Sequence, residues 1–274
     1  MQLQISPGAF QLEGHAPECE PLSLYDLYMS TFETLVADTD ALREACFRLR
    51  YQVYCIENEG YEPASAFADG LERDIFDSHS AHALLRHRAS DEFVGTVRTI
   101  LDPGGAAARD FPVDRICAEN RIGMPRSMAS GGVAELSRFC IAKRLRRQVL
   151  DSVRSHPDDR ARIMPAMSLG LMRGCYLLTR LNGATAWCMV MEQRLIEFLG
   201  KHGIHFRPIG PMIEFHGQRQ VCHEDVDCLM ARMKAERPDV WDIITDKGRY
   251  CALSMPRTIA RKPAGNPRRL KASA

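Results

Sequence analysis

A chain of 274 residues with a net charge of +1 is long enough for a full hydrophobic core and carries no global field that would hold nucleic acid or a membrane surface. Its ten cysteines include no C-x-x-C pair and lie mostly among apolar residues, which favours reduced, core-packed thiols over a disulfide framework or a zinc site. No N-terminal run combines a charged start with an apolar stretch of signal-peptide length, and no window is apolar enough to span a bilayer, so the cytoplasm is the expected compartment.

Residues 1–22 mix Pro, Gly, Glu and Gln without a sustained period and read as a loose leader. Over 24–36, apolar residues at Leu24, Leu27, Tyr28 and Leu35 predict a short helix, and the leader with this helix is expected to occupy 1–39. Asp40 is the predicted N-cap of the next element, where Leu42, Ala45, Cys46, Leu49 and Val53 recur at helical spacing. Arg50 and Tyr54, four residues apart, share a face of that helix. Residues 57–69 lose all periodicity and carry Gly60 and Pro63, as a mobile lid over a site would. Asp74 and Asp77 follow, just before a short strand at 81–86. After a turn at 89–92, residues 93–101 (FVGTVRTIL) are apolar on both faces and predict a central, covered strand. Arg98 lies in the middle of it, and a guanidinium there cannot lose its proton, so it needs carboxylates or a ligand nearby.

Pro103, Gly104 and Gly105 break the chain, and 111–120 reads as a short irregular or helical piece. Residues 131–143 (GGVAELSRFCIAK) then set Glu135 and Arg138 in an apolar, β-favouring run. A carboxylate and a guanidinium inside a strand carry a desolvation cost, so each needs a partner or a task, and this strand is the expected floor of an active site. Strict alternation puts Glu135 and Arg138 on opposite faces, so they share one site only if a bulge intervenes. The competing reading is that Glu135 neutralises Arg98 or Arg138 in a buried pair, a poor source of stability.

A basic, Pro-containing stretch covers 143–165, and Met167, Leu171, Cys175, Leu178 and Leu181 mark a helix that Asn182-Gly183 ends. Residues 184–191 (ATAWCMVM) predict a strand and 193–202 a helix stopped by Gly203. Two further strands are predicted at 204–209 and 212–215, with His216-Gly217-Gln218 turning to a short third segment. Residues 223–236 look helical, and Pro238 opens a second small element through 246. The tail from Arg257 has six basic residues and no acid and is expected to be disordered. This alternation predicts an α/β (α+β) fold, a mixed twisted sheet with helices on both faces. The expected division is a core at 40–222, a helical appendage at 223–256 and the tail at 257–274. The histidines show no spacing suited to a metal.

The order of elements resembles the GNAT acyltransferase fold. The charged positions resemble its acyl-homoserine-lactone synthase branch: Arg50 with Tyr54, D-x-x-D (Asp74, Asp77), G-x-x-R (Gly95, Arg98), the pair Phe111-Pro112, and E-x-S-R-F (Glu135, Ser137, Arg138, Phe139). The phrases RYQVYCIE, GLERDIFDSHS, ELSRF, PIGPMIEFHGQRQ and ERPDVWDIITD are similar to acyltransferases associated with bacterial PEP-CTERM/exosortase systems, themselves similar to N-acyl amino acid synthases. The likeness runs over 40–250, with two departures. Homoserine-lactone synthases usually carry a tryptophan shortly after the helix aromatic, where this chain has Gly60 and Tyr61, which speaks against an S-adenosylmethionine pocket. Coenzyme A-dependent GNAT enzymes follow the long strand with a glycine-rich loop that cradles pyrophosphate on backbone N–H groups. Here that place holds KRLRRQVLDSVR, without glycine, and an acyl carrier protein as donor fits better.

The resemblance implies an N-acyltransferase that moves a long-chain acyl group from acyl carrier protein to the amine of an amino acid or similar small acceptor. Transfer is direct, through a tetrahedral intermediate, with acyl-4′-phosphopantetheine as donor substrate, acyl-coenzyme A as the other donor, and neither a permanent cofactor nor a metal. In these terms Glu135 orients the amine or accepts its proton. Arg98 and Arg138 hold the acceptor's carboxylate, while Asp74 and Asp77 fix those arginines or bind the amine. Backbone N–H groups around Phe139, Cys140 and Ile141 face the thioester oxygen. Arg50, Tyr54 and Phe111 belong to the acceptor pocket, and Arg144, Arg146, Arg147 and Arg154 form a docking patch for the acidic carrier, beside the bland reading of a solvated face. Cys140 is no nucleophile, because an apolar strand disfavours its thiolate. The alternatives are a homoserine-lactone synthase, a coenzyme A-dependent acetyltransferase, and a catalytically silent acyl-binding module.

Overall fold

Ser23 opens the first helix, α1 (Leu24–Thr31), by accepting the Asp26 N–H, and the helix buries Leu24, Leu27 and Tyr28. In this computed structural model, which describes residues 21–58, 60–102, 110–125, 132–152 and 157–253, helix ends at Thr31 rather than 36. The next residues, FETLV, are strand β1 (Phe32–Val36), because Phe, Thr and Val favour a pleated surface and a neighbouring strand is there to pair with them. Helix α2 (Asp40–Tyr51) is capped by Thr39, whose hydroxyl accepts the Leu42 N–H at 3.3 Å; Asp40, the expected cap, sits inside the first turn, where the helix dipole favours its charge. The chain then continues without a break into a π-helical segment, Gln52–Glu57, whose wider winding re-registers the face that α2 presents.

Strands β2 (Ser80–His87), β3 (Glu92–Leu101), β4 (Val133–Ile141), β5 (Ala186–Glu192), β6 (Arg207–Glu214) and β7 (Gln218–Asp225) join β1 in one seven-stranded sheet of order β1-β2-β3-β4-β5-β7-β6. Every neighbouring pair is antiparallel except β4 and β5, which run parallel. The two strands expected at 204–209 and 212–215 are one bulged strand, with Gly210 at φ 67° where the ladder slips between Ile209 and Met212. The short third segment is a full strand, β7, seated between β5 and β6. It runs through Asp225, so helix starts at Val226 and not at 223.

Helices α3 (Pro112–Glu119), α4 (Lys143–Ser152), α5 (Pro157–Asn182), α6 (Gln193–Gly200), α7 (Val226–Glu236) and α8 (Pro238–Thr245) cover the two faces. The basic stretch at 143–165 is helical rather than irregular: Leu145 and Val149 bury one face of α4, and α5 begins at Pro157 with Pro165 inside it. Burial of Ile163, Ala166 and Met167 around that proline outweighs its missing donor. The main core lies where α5 crosses β1, β2 and β3, and it includes Leu229, Met233 and Ile243 of the C-terminal helices. A second cluster under α3, with Phe76, Ile100, Val113, Val133 and Val221, covers the opposite face. Nine free cysteines are described, six of them buried, and Cys19 lies outside the described residues, as do the leader through 20 and the tail from 254. No helix among the described residues is long and apolar enough to cross a membrane.

Candidate active site

Strand β4 is irregular on both sides. It pairs with β5 only where Val133, Ala134 and Glu135 meet Ala186, Trp187 and Cys188, and beyond Leu136 the two strands part. The β4 backbone groups that point toward β5 past this position lose their ladder partner. On the other side the register with β3 slips, because β4 spends Arg138 and Phe139 where β3 spends Val97 alone. This is a β-bulge, and Arg138 within it has φ 50°. Gly95 makes room for it: a Cβ there would stand 2.9 Å from the Cys140 carbonyl oxygen. The bulge breaks the alternation that would have sent Arg138 away from Glu135 and Ser137, and delivers it to the same acidic cluster that Ser137 faces.

That cluster is built from three arginines and four acids. Arg50, fully buried, donates Nε to Glu72 and its two terminal nitrogens to Asp77 at 2.7 and 3.1 Å. Arg98 donates Nη1 to Asp74 at 2.6 Å and to Asp77 at 3.0 Å, and Nε to the Ser137 hydroxyl at 2.9 Å. Arg138 reaches Glu72 at 2.9 Å, Asp74 at 3.4 Å and Glu62 at 3.7 Å through Nη2, with its guanidinium 5.4 Å from the Tyr54 ring. Asp74 and Asp77 are positioned by a capping box around the 3₁₀ turn Ile75–His79. Burial works to raise the Asp77 carboxyl, but Arg50 and Arg98 override it and hold the group well below its ordinary 3.8. Glu72 is likewise pulled below its ordinary value, burial being outweighed by Arg50 and Arg138. His82, beside Asp77, is pushed down to about 4 by burial, so it stays neutral.

Glu135 stands apart from this network. It is 3% exposed, makes no ion pair among the described residues, and accepts the Val113 N–H at 2.9 Å through Oε2. Val113 belongs to the first turn of α3, so Glu135 is tethered to a helix N-terminus and not to Arg98 or Arg138. Burial pushes its carboxyl from 4.5 up to about 8, against the pull of the Val113 N–H and of Arg98. The group therefore carries a proton near neutrality and releases it just above.

A cavity of about 700 Å³ opens where β4 and β5 part. Its lining includes the apolar side chains Met172, Met189, Met191, Leu195, Leu199 and Phe206. It also includes Arg98, Glu135, Ser137 and Arg138 with Tyr54 and Tyr61. Phe139, Cys140 and Ile141 of β4 complete this part of the lining. The Cys140 thiol is raised to about 12 by burial, which keeps it protonated. Asp74 and Asp77 lie behind the arginines and Arg50 deeper still; none of the three, nor fully buried Phe111, is on the lining. Arg144, Arg146 and Arg147 are exposed on α4, while Arg154 lies outside the described residues. The N-terminus of α4 is already filled: the Glu57 carboxylate accepts the Lys143 N–H at 2.7 Å and the Arg144 N–H at 3.4 Å.

Sequence reasoning singled out neither Glu72, the acid shared by Arg50 and Arg138, nor Glu57. Glu72 stood in view inside GLERDIFD, but a loop residue has no periodicity to mark which way it points. Among the described residues no group of three or more His, Cys, Asp or Glu could hold a metal ion.

Residues 49–154, the segment that carries every site residue the sequence singled out, match the family model for the acetyltransferase (GNAT) domain. No curated protein matches the chain. Among solved structures, TofI in a ternary complex with an inhibitor and MTA superposes with a TM-score of 0.54 at 20% identity, over 77% of this chain and 96% of that one. The AHL synthase LasI gives 0.50 at 18% identity over 70% and 88%. The CoA-dependent acyl-homoserine lactone synthase BjaI with MTA gives 0.50 at 16% identity over 83% and 95%. At such identities these likenesses speak for the fold. The fold is GNAT-like, and with the matched domain it supports an acyltransferase.

Proposed function

We propose that this chain moves a long-chain acyl group from a pantetheine thioester to the amine of a small acceptor. The observation that carries the reading is the cavity at the β4/β5 parting, which brings apolar side chains of α5, β5 and α6 together with a buried carboxyl that has no ion pair among the described residues. The acyl chain would lie along Met172, Met189 and Leu199, with the thioester at Phe139 to Ile141, where β4 amides without a strand partner receive the developing oxyanion. Glu135 would take a proton from the acceptor's ammonium, leaving a neutral amine. Attack on the carbonyl carbon forms the C–N bond. Collapse breaks the C–S bond, and the second amine proton leaves with the pantetheine sulfur as a thiol. A carboxyl raised to about 8 is matched to an amine for this exchange.

Two finer assignments belong to the same proposal. The acceptor would be an amino acid, whose carboxylate contacts Arg138 through Nη1, the nitrogen without a hydrogen bond among the described residues. The donor would be acyl carrier protein, docked on Arg144, Arg146 and Arg147. In support, the first α4 amides, where a coenzyme A pyrophosphate would sit, are taken by Glu57. The likeness of five sequence phrases to exosortase-associated acyltransferases makes such a system, in the cytoplasm, the proposed setting. Mass spectrometry of lipid extracts from cells expressing wild type or Glu135→Gln tests the whole. A new acylated amine confined to the wild type is expected, its mass naming chain and acceptor. Indistinguishable extracts from folded proteins supplied with acyl carrier protein would remove the amino-acid acceptor and favour a binding module.

A further inference from the structure

The exposed residues of the cavity lining, Gly60, Glu192, Phe215 and His216, gather at one rim. Across this rim two distant parts of the chain meet through rings. Tyr61, just after the π-helical segment, stacks on His216 at 4.4 Å between centroids and 22° between planes. Tyr54 lies 4.9 Å behind Tyr61, and Phe215 packs edge-on to His216 at 4.9 Å. The Arg219 guanidinium, held by the Phe215 carbonyl oxygen and by Glu192, sits 5.9 Å from the Tyr61 ring. His216 is the tip of the β6–β7 turn, at φ 49°, on the edge hairpin of the sheet. Among the described residues no hydrogen bond joins the segment around Tyr61 to this hairpin, and the contacts described across the rim are the ring stack and the Arg219 guanidinium near the Tyr61 ring.

We infer that the Tyr61–His216 stack is the door of the cavity, and that an acyl-bearing ligand enters and leaves when the two rings part. The inference rests on the acyl-cavity reading above and adds to it which residues set the exchange rate. A contact made of stacked rings and one guanidinium, between an exposed turn and a neighbouring segment, is weak enough to open often and stands across part of the rim while closed. Among the described residues His216 makes no hydrogen bond or ion pair with the arginine–carboxylate cluster or with Glu135, so its ring can be removed with those bonds intact. Glycine also suits its left-handed backbone.

Stopped-flow binding of a dansyl-labelled fatty acid, without donor or acceptor, reads the door directly. In His216→Gly both the association and the dissociation rate are expected to rise about tenfold, the ~1.4 kcal/mol equivalent of one ring contact, with the affinity changed less than twofold. His216→Phe, which restores a ring, should return both rates to the wild-type values, and Tyr61→Ala should repeat the acceleration. Unchanged rates in His216→Gly would overturn the door, and so would a change confined to dissociation, which is the mark of a lost binding contact. A wild type that binds no fatty acid at all would overturn the acyl cavity and the door with it, whereas binding with unaltered rates removes the door alone.

Discussion

Replacing Glu135 with Gln should abolish turnover and stabilise the fold at alkaline pH, two effects with one cause. Gln keeps the shape of the side chain and an oxygen for the Val113 N–H. It removes the group that has to ionise inside the protein. In the unfolded chain the carboxyl loses its proton near 4.5, in the folded chain near 8. Between those values the folded state holds a proton that the unfolded state has released, so stability falls as pH rises. This contribution is fully present below 4.5 and is lost as pH passes through about 8. At 1.36 kcal/mol per pH decade its full span is about 5 kcal/mol, and a few kcal/mol after the buried site relaxes.

Urea unfolding of both proteins at pH 5 and pH 9 measures the effect, and the quantity to compare is the difference between variant and wild type. His82, held down at about 4, makes the folded state gain stability as pH rises through 6.5, but it is present in both proteins and cancels. Asp77 acts only on the acid side, below its ordinary 3.8. Near-equal stabilities at pH 5 and a Gln variant more stable by about 2–5 kcal/mol at pH 9 are expected. The wild-type rate should rise with pH through about 8, and above that value the variant should lose roughly 10²–10⁴-fold in turnover, a deficit that narrows as pH falls and the wild-type carboxyl takes up its proton. A stability difference that does not change with pH would show that the carboxyl ionises as easily folded as unfolded, and the assignment of Glu135 as base would go with it.

Arg50→Met leaves Glu72 and Asp77 buried without their main partner and should cost about 3–5 kcal/mol of stability by denaturant titration. Glu57→Ala removes the acceptor at the start of α4 and should lower stability by about 1 kcal/mol, read as a fall in Tm. Leu195→Phe narrows the cavity beside its apolar lining, and the product's acyl chain should shorten; an unchanged chain distribution by mass spectrometry would put the chain elsewhere. Exchanging Arg144, Arg146 and Arg147 for Glu should slow association with acyl carrier protein at low salt and leave the high-salt rate nearly unchanged, as surface plasmon resonance would show.

The strands and helices that bury a regular face were legible, because alternation and helical spacing are local: β3 with Arg98 at its centre, α5 from Met167 to Asn182, α6 before Gly203. Legibility failed where a neighbour decides. FETLV became strand because β2 was there to pair with it, and 218–225 became a full strand between β5 and β6 although its own pattern is short and polar. Lys143 to Ser152 hides its helix because only Leu145 and Val149 mark the buried face among basic residues. In the site, Glu135 and Arg98 stood out as charges in apolar strands. That Glu135 answers to α3 and Arg138 to Glu72 could not be read, since the first partner is a backbone N–H that any residue carries and the second sits in a loop with no period.

The bulge in β4 ties these features together. Arg138 at positive φ is strained by about 1 kcal/mol, and Phe, Cys or Ile would be strained there at least as much. The guanidinium gives this residue a reason to take the strain, since from that backbone conformation it meets Glu72 at 2.9 Å and Asp74 at 3.4 Å. Arg50 keeps Glu72 in place from the other side, so α2, the Asp74–Asp77 turn and β4 are locked to one another through shared acids. A bulged strand bends and twists more than a regular one, and β4 leaves β5 just before the bulge. The ion pairs therefore support the opening of the cavity, which explains why so much charge is buried where it contributes little to stability by itself. Arg138→Gly separates the two roles: glycine accepts the φ, so the bulge can persist without the guanidinium. Retained binding of a dansyl-labelled fatty acid together with lost acyl transfer would assign Arg138 to the acceptor. Loss of both would make it a strut of the cavity, and full activity would show that neither role is needed.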